Sequence, residues 1–110
     1  MNKKELQDQY KAKLMQALGA ASIIDFKRDC KVLHELYRSI ITNRQYQAPQ
    51  DMKQIRETKS CKLPFSVYQS WLKRYCDNLV SACGLAMLLG LQDEARVLHD
   101  LSASALFKKT

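Results

Sequence analysis

The most reactive side chains in this sequence belong to its four cysteines and two histidines. Cys30 and His34 are four residues apart, so a helix would place them on one face. With Cys61 and one further sulfur they could assemble a zinc site. The closely spaced ligand pairs of zinc fingers are missing, however, and the sequence has no C-x-x-C pair. We therefore expect no metal and no cofactor, and we interpret all four cysteines as small, buried apolar side chains.

Residues for nucleophilic or acid–base catalysis are not arranged as an active site requires. His34 and His99 fall in different helical segments, and no third group is placed to orient the pair formed by Cys30 and His34. The sequence also has no glycine-rich phosphate loop, no H-E-x-x-H and no calcium loop. We therefore expect that the protein is not an enzyme.

Residues 55–75 have a pattern that suits DNA binding. They read I-R-E-T-K-S-C-K-L-P-F-S-V-Y-Q-S-W-L-K-R-Y and resemble a helix-turn-helix, in which a short helix and a turn precede a second helix. The resemblance implies that the second helix enters the major groove, where Ser66, Tyr68, Gln69 and Lys73 meet the base edges. Glutamine reads adenine through its amide, and lysine reaches guanine or phosphate. The usual turn glycine is absent, and an ordinary capped core helix is the alternative interpretation.

Positive charge is concentrated in the middle of the chain. The whole sequence carries a net charge of +7, from 18 basic and 11 acidic residues. Residues 51–74 hold six basic and two acidic side chains, a net of +4, whereas residues 75–110 hold three and four, a net of −1. A basic stretch attracts nucleic acid, an anionic membrane or an acidic protein, although a solvated surface is the simpler interpretation. The predicted nucleic-acid site consists of Arg44, Lys53, Arg56, Lys59, Lys62, Ser66, Gln69, Lys73 and Arg74.

The elements that must position these residues are helices, because apolar residues recur at three- and four-residue steps. The predicted fold is all-α: a single helical domain, residues 1–110, folded as a compact bundle of four main helices. A basic connector, residues 43–64, contains a short helical turn near 51–58, and no stretch alternates with period two. The main helices are predicted near 3–18, 22–41, 66–89 and 92–107. The predicted core contains Leu14, Phe26, Cys30, Leu33, Tyr37, Ile40, Trp71, Tyr75, Leu79, Leu88, Leu98 and Leu101.

Local signals predict where the helices begin and end. Asn2 is placed to cap the first helix. Ser22 with Asp25, and Ser66 with Gln69, resemble capping boxes at the starts of the second and third helices. In the second helix, the predicted apolar stripe starts at Ile23. We interpret the three glycines as a helix end, a site of close helix crossing or kinking, and a second helix end: Gly19, Gly84 and Gly90.

Residues 82–105 resemble a single tetratricopeptide-like helical hairpin. The segment G-L-Q-D-E-A, which starts at Gly90, has the turn glycine and the helix alanine of that repeat at its spacing. Ala86 and His99 occupy positions where the repeat has aromatic residues. No second copy is apparent, so the resemblance implies only a tight antiparallel pair of helices.

Together these observations predict a small regulatory protein that binds nucleic acid through its central basic segment. The alternative is an adaptor, secretion-chaperone-like or inhibitor protein that docks on another protein through its helical surface. The apolar stripe of the second helix and the apolar run of residues 79–91 exceed what a four-helix monomer must bury, which predicts a homodimer or a partner protein. No apolar run is long enough to cross a membrane, and the N-terminus has no signal-peptide core, so we expect a cytoplasmic protein.

Overall fold

The computed structural model describes residues 2–42, 44 and 63–107, which form four α-helices with no strand among them. The helices are α1 (Lys3–Ile23), α2 (Lys27–Thr42), α3 (Phe65–Leu88) and α4 (Gln92–Phe107). The all-α helical bundle predicted from the sequence is confirmed, and the predicted bounds of the last two helices agree to within one residue. The short helical turn predicted near 51–58 lies outside the described residues, as does most of the basic connector.

Helix α1 begins as predicted and ends later than predicted. The Oδ1 of Asn2 accepts a hydrogen bond from the Glu5 N–H at 2.8 Å, which confirms Asn2 as the N-cap. The helix then passes through Gly19, so the prediction that this glycine ends it is wrong. Buried apolar residues continue along the same face as far as Ile24. Their burial outweighs the cost of about 1 kcal/mol that a glycine adds inside a helix.

The turn after α1 corrects a second prediction. Ser22 lies in the last turn of α1, and Asp25 has a left-handed backbone conformation with φ of 63°, so the two do not form a capping box. The N–H of Asp25 donates to the Ser22 carbonyl at 3.2 Å, and the N–H of Phe26 donates to the Ala21 carbonyl at 2.9 Å. These bonds satisfy the last carbonyls of α1, and α2 therefore starts only at Lys27.

The turn after α3 uses the same pair of hydrogen bonds. The N–H of Gly90 donates to the Met87 carbonyl at 3.1 Å, and the N–H of Leu91 donates to the Ala86 carbonyl at 2.8 Å. Gly90 has a φ of 78°, a conformation that glycine adopts without a Cβ clash. The prediction that Gly90 ends the third helix is therefore confirmed.

The start of α3 differs from the prediction. Pro64 is the N-cap, and no side chain caps the helix by a hydrogen bond. Because α3 begins at Phe65, Ser66 already lies within the first turn. The capping box predicted from Ser66 and Gln69 is therefore wrong.

The two hairpins, α1–α2 and α3–α4, are copies of one sequence pattern. Residues 10–36 align with residues 75–101 without a gap, each number in the second copy being 65 higher. The α3–α4 hairpin thus has a counterpart in α1–α2, but Asp25 and Cys30 there replace the turn glycine and the helix alanine that carry the tetratricopeptide resemblance, so that resemblance stays confined to one hairpin. This offset is longer than the period of about 34 residues in a tetratricopeptide array. Nine of the 27 aligned positions are identical: Tyr10/Tyr75, Leu14/Leu79, Ala17/Ala82, Gly19/Gly84, Ala21/Ala86, Val32/Val97, Leu33/Leu98, His34/His99 and Leu36/Leu101.

The two copies pack through α1 and α3 and make reciprocal contacts. The Tyr10 hydroxyl donates to Glu94 Oε2 at 3.4 Å, and the Tyr75 hydroxyl donates to Asp29 Oδ2 at 2.5 Å. Tyr10 and Tyr75 are equivalent positions of the two copies, and so are Asp29 and Glu94. The two hydrogen bonds are therefore the same tyrosine–acid contact, made once from each hairpin to the other. Each tyrosine lies in the first half of its helix and reaches an acid just beyond the end of the other. Helices α1 and α3 therefore run antiparallel about a pseudo-twofold axis.

The core draws on both copies, and most of its predicted members are confirmed. The prediction that Leu88 lies in the core is wrong, because this side chain is 70% exposed. Ile23, predicted on the stripe of the second helix, lies in α1 and is exposed. The partly buried members that pack against the core are Cys30, Tyr37, Ile40 and Trp71. The buried ones are Leu14, Phe26, Leu33, Tyr75, Leu79, Leu98 and Leu101.

Candidate functional site

Four of the nine predicted nucleic-acid-binding residues lie together on the first half of α3. All four are exposed, and they line a shallow depression of about 620 Å³. Two further residues of the same helix, a serine and an aspartate, line it with them. The described lining residues are Ser66, Gln69, Ser70, Lys73, Arg74 and Asp77.

Helical spacing brings these side chains to one face. Their numbers differ by three and four, which is the spacing of neighbours on an α-helix surface. The opposite face of α3, which includes Tyr75 and Leu79, is fully buried in the core. The core therefore fixes the rotation of α3 and presents the polar side chains outward.

Arg74 is held against Trp71 on the helix surface. The guanidinium carbon lies 4.8 Å from the centroid of the indole ring, which is the geometry of a cation–π contact. The indole is itself partly buried against the core. A guanidinium that stacks on a ring by its face keeps its N–H groups for a phosphate or carboxylate in the guanidinium plane.

The described part of the depression carries two positive charges and one negative charge. Lys73 and Arg74 lie in its middle, and Asp77 lies at the end nearer the centre of α3. The first turn of α3 has no acidic residue, and its N-cap offers no side-chain acceptor. The positive end of the helix dipole therefore adds to the two cations rather than opposing them. An anion is favoured at the amino-terminal end of the depression and disfavoured beside Asp77.

The other predicted site residues are not brought into this depression by the described structure. Arg44 is exposed just after α2, where its N–H donates to the Ser39 carbonyl at 3.0 Å, and it does not line the depression. The first helix of the predicted helix-turn-helix is outside the described residues, so that motif stays a prediction. The same holds for the four cations of the connector: Lys53, Arg56, Lys59 and Lys62.

A buried carboxylate that sequence reasoning missed lies between α2 and α3. Asp29 is fully buried, and besides the Tyr75 hydroxyl it contacts the Arg28 Nε at 3.3 Å through its other oxygen. Arg28 Nη2 in turn donates to Ser104 Oγ of α4 at 3.3 Å. The signal was present in the sequence, since a tyrosine precedes an acid by 19 residues in both copies of the repeat. Because water does not reach Asp29, we interpret it as a structural group.

Glu94 is the equivalent acid in the second copy, and its environment favours the protonated form. Burial raises the pKa of Glu94 above its usual range, the hydroxyl of Tyr10 acts in the opposite direction, and nearby Asp93 raises the pKa further. Glu94 is also almost inaccessible to solvent. It does not line the depression on α3, so it belongs to the interface between the hairpins rather than to the candidate site.

Two of the described cysteines, Cys76 and Cys83, lack the features of reactive thiols. Burial, followed by the charges of Asp77 and Asp29, raises the pKa of Cys76. Burial alone raises the pKa of Cys83. Both thiols therefore stay protonated and weakly nucleophilic at neutral pH. Within the described residues, no three His, Cys, Asp or Glu side chains are grouped so that they could hold a metal ion.

Comparison of the chain with known protein families, with curated proteins and with solved structures finds no match. Among the described helices, none combines the length and apolar character needed to cross a membrane.

Proposed function

We propose that this protein is a small, non-enzymatic regulatory protein that binds nucleic acid, with the first half of α3 as part of the contact surface. The observation that carries the proposal is the depression in which Gln69, Lys73 and Arg74 lie side by side on one exposed face. The net charge of +7 supports it, because it favours the approach of a polyanion. The proposal places the protein in the cytoplasm, where thiols such as Cys76 stay reduced.

Phosphate contacts supply most of the proposed affinity. Lys73 offers a mobile ammonium group, and Arg74 offers a guanidinium already held by Trp71. Each neutralised phosphate releases counterions, so the logarithm of the binding constant falls with the logarithm of the salt concentration by about 0.9 per phosphate on duplex DNA. We also assign phosphate contacts to the connector cations as part of the proposal.

Gln69 is the proposed base reader. Its amide has both a donor and an acceptor, which matches the N6 and N7 groups of adenine in the major groove. Ser66 lies one turn earlier on the same face and suits a contact to sugar or phosphate. Since the face of α3 that includes Tyr75 and Leu79 is buried, the exposed polar face of its first half is the one proposed to enter a groove.

The test is a fluorescence titration of random duplex DNA and of single-stranded RNA at low and at physiological salt. Replacing Lys73 with alanine should weaken binding to all sequences alike and reduce the salt slope by about 1. Lys31→Ala is the matched control, because Lys31 is an exposed lysine on α2 that does not line the depression. Equal weakening by both variants would show that only overall charge matters and would remove α3 from the site.

A second candidate function is docking on another protein, and a separate observation favours it. Phe65 is 72% exposed and Val67 is also exposed at the start of α3, although both are large and apolar. Because they are two residues apart, Phe65 and Val67 point to different sides of α3, and each offers a separate apolar contact to a partner protein. The same titration separates the two candidates: absence of binding to DNA and RNA at low salt would reject the nucleic-acid proposal in favour of the adaptor.

A further inference from the structure

Exposed apolar side chains recur at equivalent positions of the two hairpins. Met15 and Val80 are one such pair, and Ile23 and Leu88 are another, with Met87 beside Leu88. These five side chains are between 42% and 70% exposed. One exposed apolar residue needs no explanation, but the same two positions exposed in both copies mark a surface feature of the fold.

A glycine lies between the large apolar residues in each copy. Gly19 separates Met15 from Ile23, and Gly84 separates Val80 from Leu88, at steps of four residues that keep each set on one helix face. Nothing lies within 4 Å of the position where either glycine would carry a Cβ. Each glycine therefore leaves an open notch on the surface of its helix.

Among the described residues, nothing packs into these notches. The prediction that Gly84 marks a close helix crossing is wrong for the described residues, because no neighbour approaches it. A glycine inside a helix still costs about 1 kcal/mol relative to alanine. Without a Cβ, each glycine allows the backbone or a side chain of a second molecule to pack closely against its helix. Such packing would explain why both helices keep a glycine at this position.

The apolar residues described above form one stripe on α1 (Met15, Gly19 and Ile23) and one on α3 (Val80, Gly84 and Leu88). The two stripes face the same side of the molecule. A twofold axis that exchanges two antiparallel helices is perpendicular to both of them. Rotation about this axis does not change a direction parallel to it. A side chain of α1 that points along the axis therefore has an equivalent on α3 that points in the same direction. The buried faces of α1 and α3 contact each other and the outer helices, which leaves the stripes on the opposite, solvent side. We call this surface the apolar face: Met15, Gly19, Ile23, Val80, Gly84, Met87 and Leu88.

We propose that the apolar face binds the apolar face of a second copy of this chain. Its five large side chains expose on the order of 500 Å² per chain, so two copies bury about 1,000 Å², the area at which specific interfaces begin. The face is self-complementary, as a twofold dimer requires, because it carries bulky residues such as Leu88 beside notches that can receive them. This proposal does not depend on nucleic-acid binding.

The test is sedimentation velocity of the full chain over a concentration series, without nucleic acid. The wild type should show a concentration-dependent dimer. Gly84→Leu should raise the dimer dissociation constant at least tenfold, because it fills the notch, and no described atom lies within 4 Å of the position of the new Cβ. His34→Leu, which adds an apolar side chain at an exposed position of α2, is the control and should leave the dimer unchanged.

A second variant acts from the other side of the contact. Leu88→Gln removes an exposed apolar group and should raise the dissociation constant in the same direction, with unchanged helical content by circular dichroism. A wild type that stays monomeric at every concentration overturns the proposal. So does a dimer that tolerates both Gly84→Leu and Leu88→Gln.

Discussion

At the scale of single residues, two tyrosine hydroxyls join the halves of the molecule. Each donates to a carboxylate that is almost or fully removed from water: Tyr10 to Glu94, and Tyr75 to Asp29. A buried acceptor that loses its donor costs about 1–3 kcal/mol, because no water replaces the lost bond. The two hydroxyls therefore decide how well the hairpins fit together.

Replacing Tyr75 with phenylalanine should lower the free energy of unfolding by about 1–3 kcal/mol, because it leaves Asp29 without this donor. Urea titration followed by circular dichroism measures the change. Tyr37→Phe is the control, since Tyr37 is a partly buried tyrosine that packs against the core. If both variants lose the same stability, the hydroxyl of Tyr75 has no special part in the interface.

The raised pKa of Glu94 predicts a pH dependence of stability with a definite sign. Between the ordinary carboxyl pKa and the raised pKa of Glu94, the folded chain binds more protons than the unfolded chain. The contribution of Glu94 to the free energy of unfolding is therefore lost as the pH rises through that interval. Glu94→Gln should remove this loss of stability. The free energy of unfolding of the variant should therefore increase relative to that of the wild type as the pH rises from about 4 towards neutrality. Urea titrations across this pH range measure the difference.

Glu35→Gln is the control for removing one negative charge, because Glu35 is exposed on α2. The two variants should diverge with rising pH. Parallel curves would mean that the burial of Glu94 does not govern its protonation.

At the scale of the elements, each hairpin turns on a left-handed residue followed by an apolar one. The first copy uses Asp25 before Phe26, and the second uses Gly90 before Leu91. Both turns make the same two backbone hydrogen bonds to the preceding helix. The backbone geometry is thus shared even where the residue type is not.

Gly90→Ala should lower the free energy of unfolding by about 1–2 kcal/mol, because the φ of 78° brings an alanine Cβ too close to the backbone. Thermal unfolding followed by circular dichroism checks this. Gly90→Asn should lower the free energy of unfolding by less, since asparagine tolerates the left-handed region. A Gly90→Ala variant as stable as the wild type would mean that the turn relaxes to another geometry.

Periodicity and caps in the sequence are sufficient to predict four helices, the cap at Asn2 and the end at Gly90. They are insufficient at Gly19, because whether an internal glycine ends a helix depends on how much apolar surface is buried beyond it. They also fail at Leu88, since an almost continuous apolar run does not reveal which of its residues face outward. The polar face of α3 follows from spacing alone, whereas the tyrosine–acid contacts join residues that are distant in the chain.

At the scale of the whole molecule, the repeat determines where different surfaces lie. The polar depression occupies the first half of α3, and the apolar face lies on the second half of α3 and on α1. When the 65-residue offset is continued two residues before the aligned range, Asp8 of α1 corresponds to Lys73 of α3, so the two halves share a core but differ in surface charge. Within the described residues, the face of α3 that carries Lys73 and the equivalent face of α1 therefore differ in charge.

The reciprocal tyrosine–acid contacts also make the hairpins interchangeable during folding. A first hairpin that meets the first hairpin of another chain offers Tyr10 and Asp29, the same donor and acceptor types that the native interface joins. Docking within one chain therefore competes with the pairing of like hairpins between chains. The connector decides that competition, because tethering holds the two hairpins of one chain at an effective concentration that free chains do not reach in dilute solution.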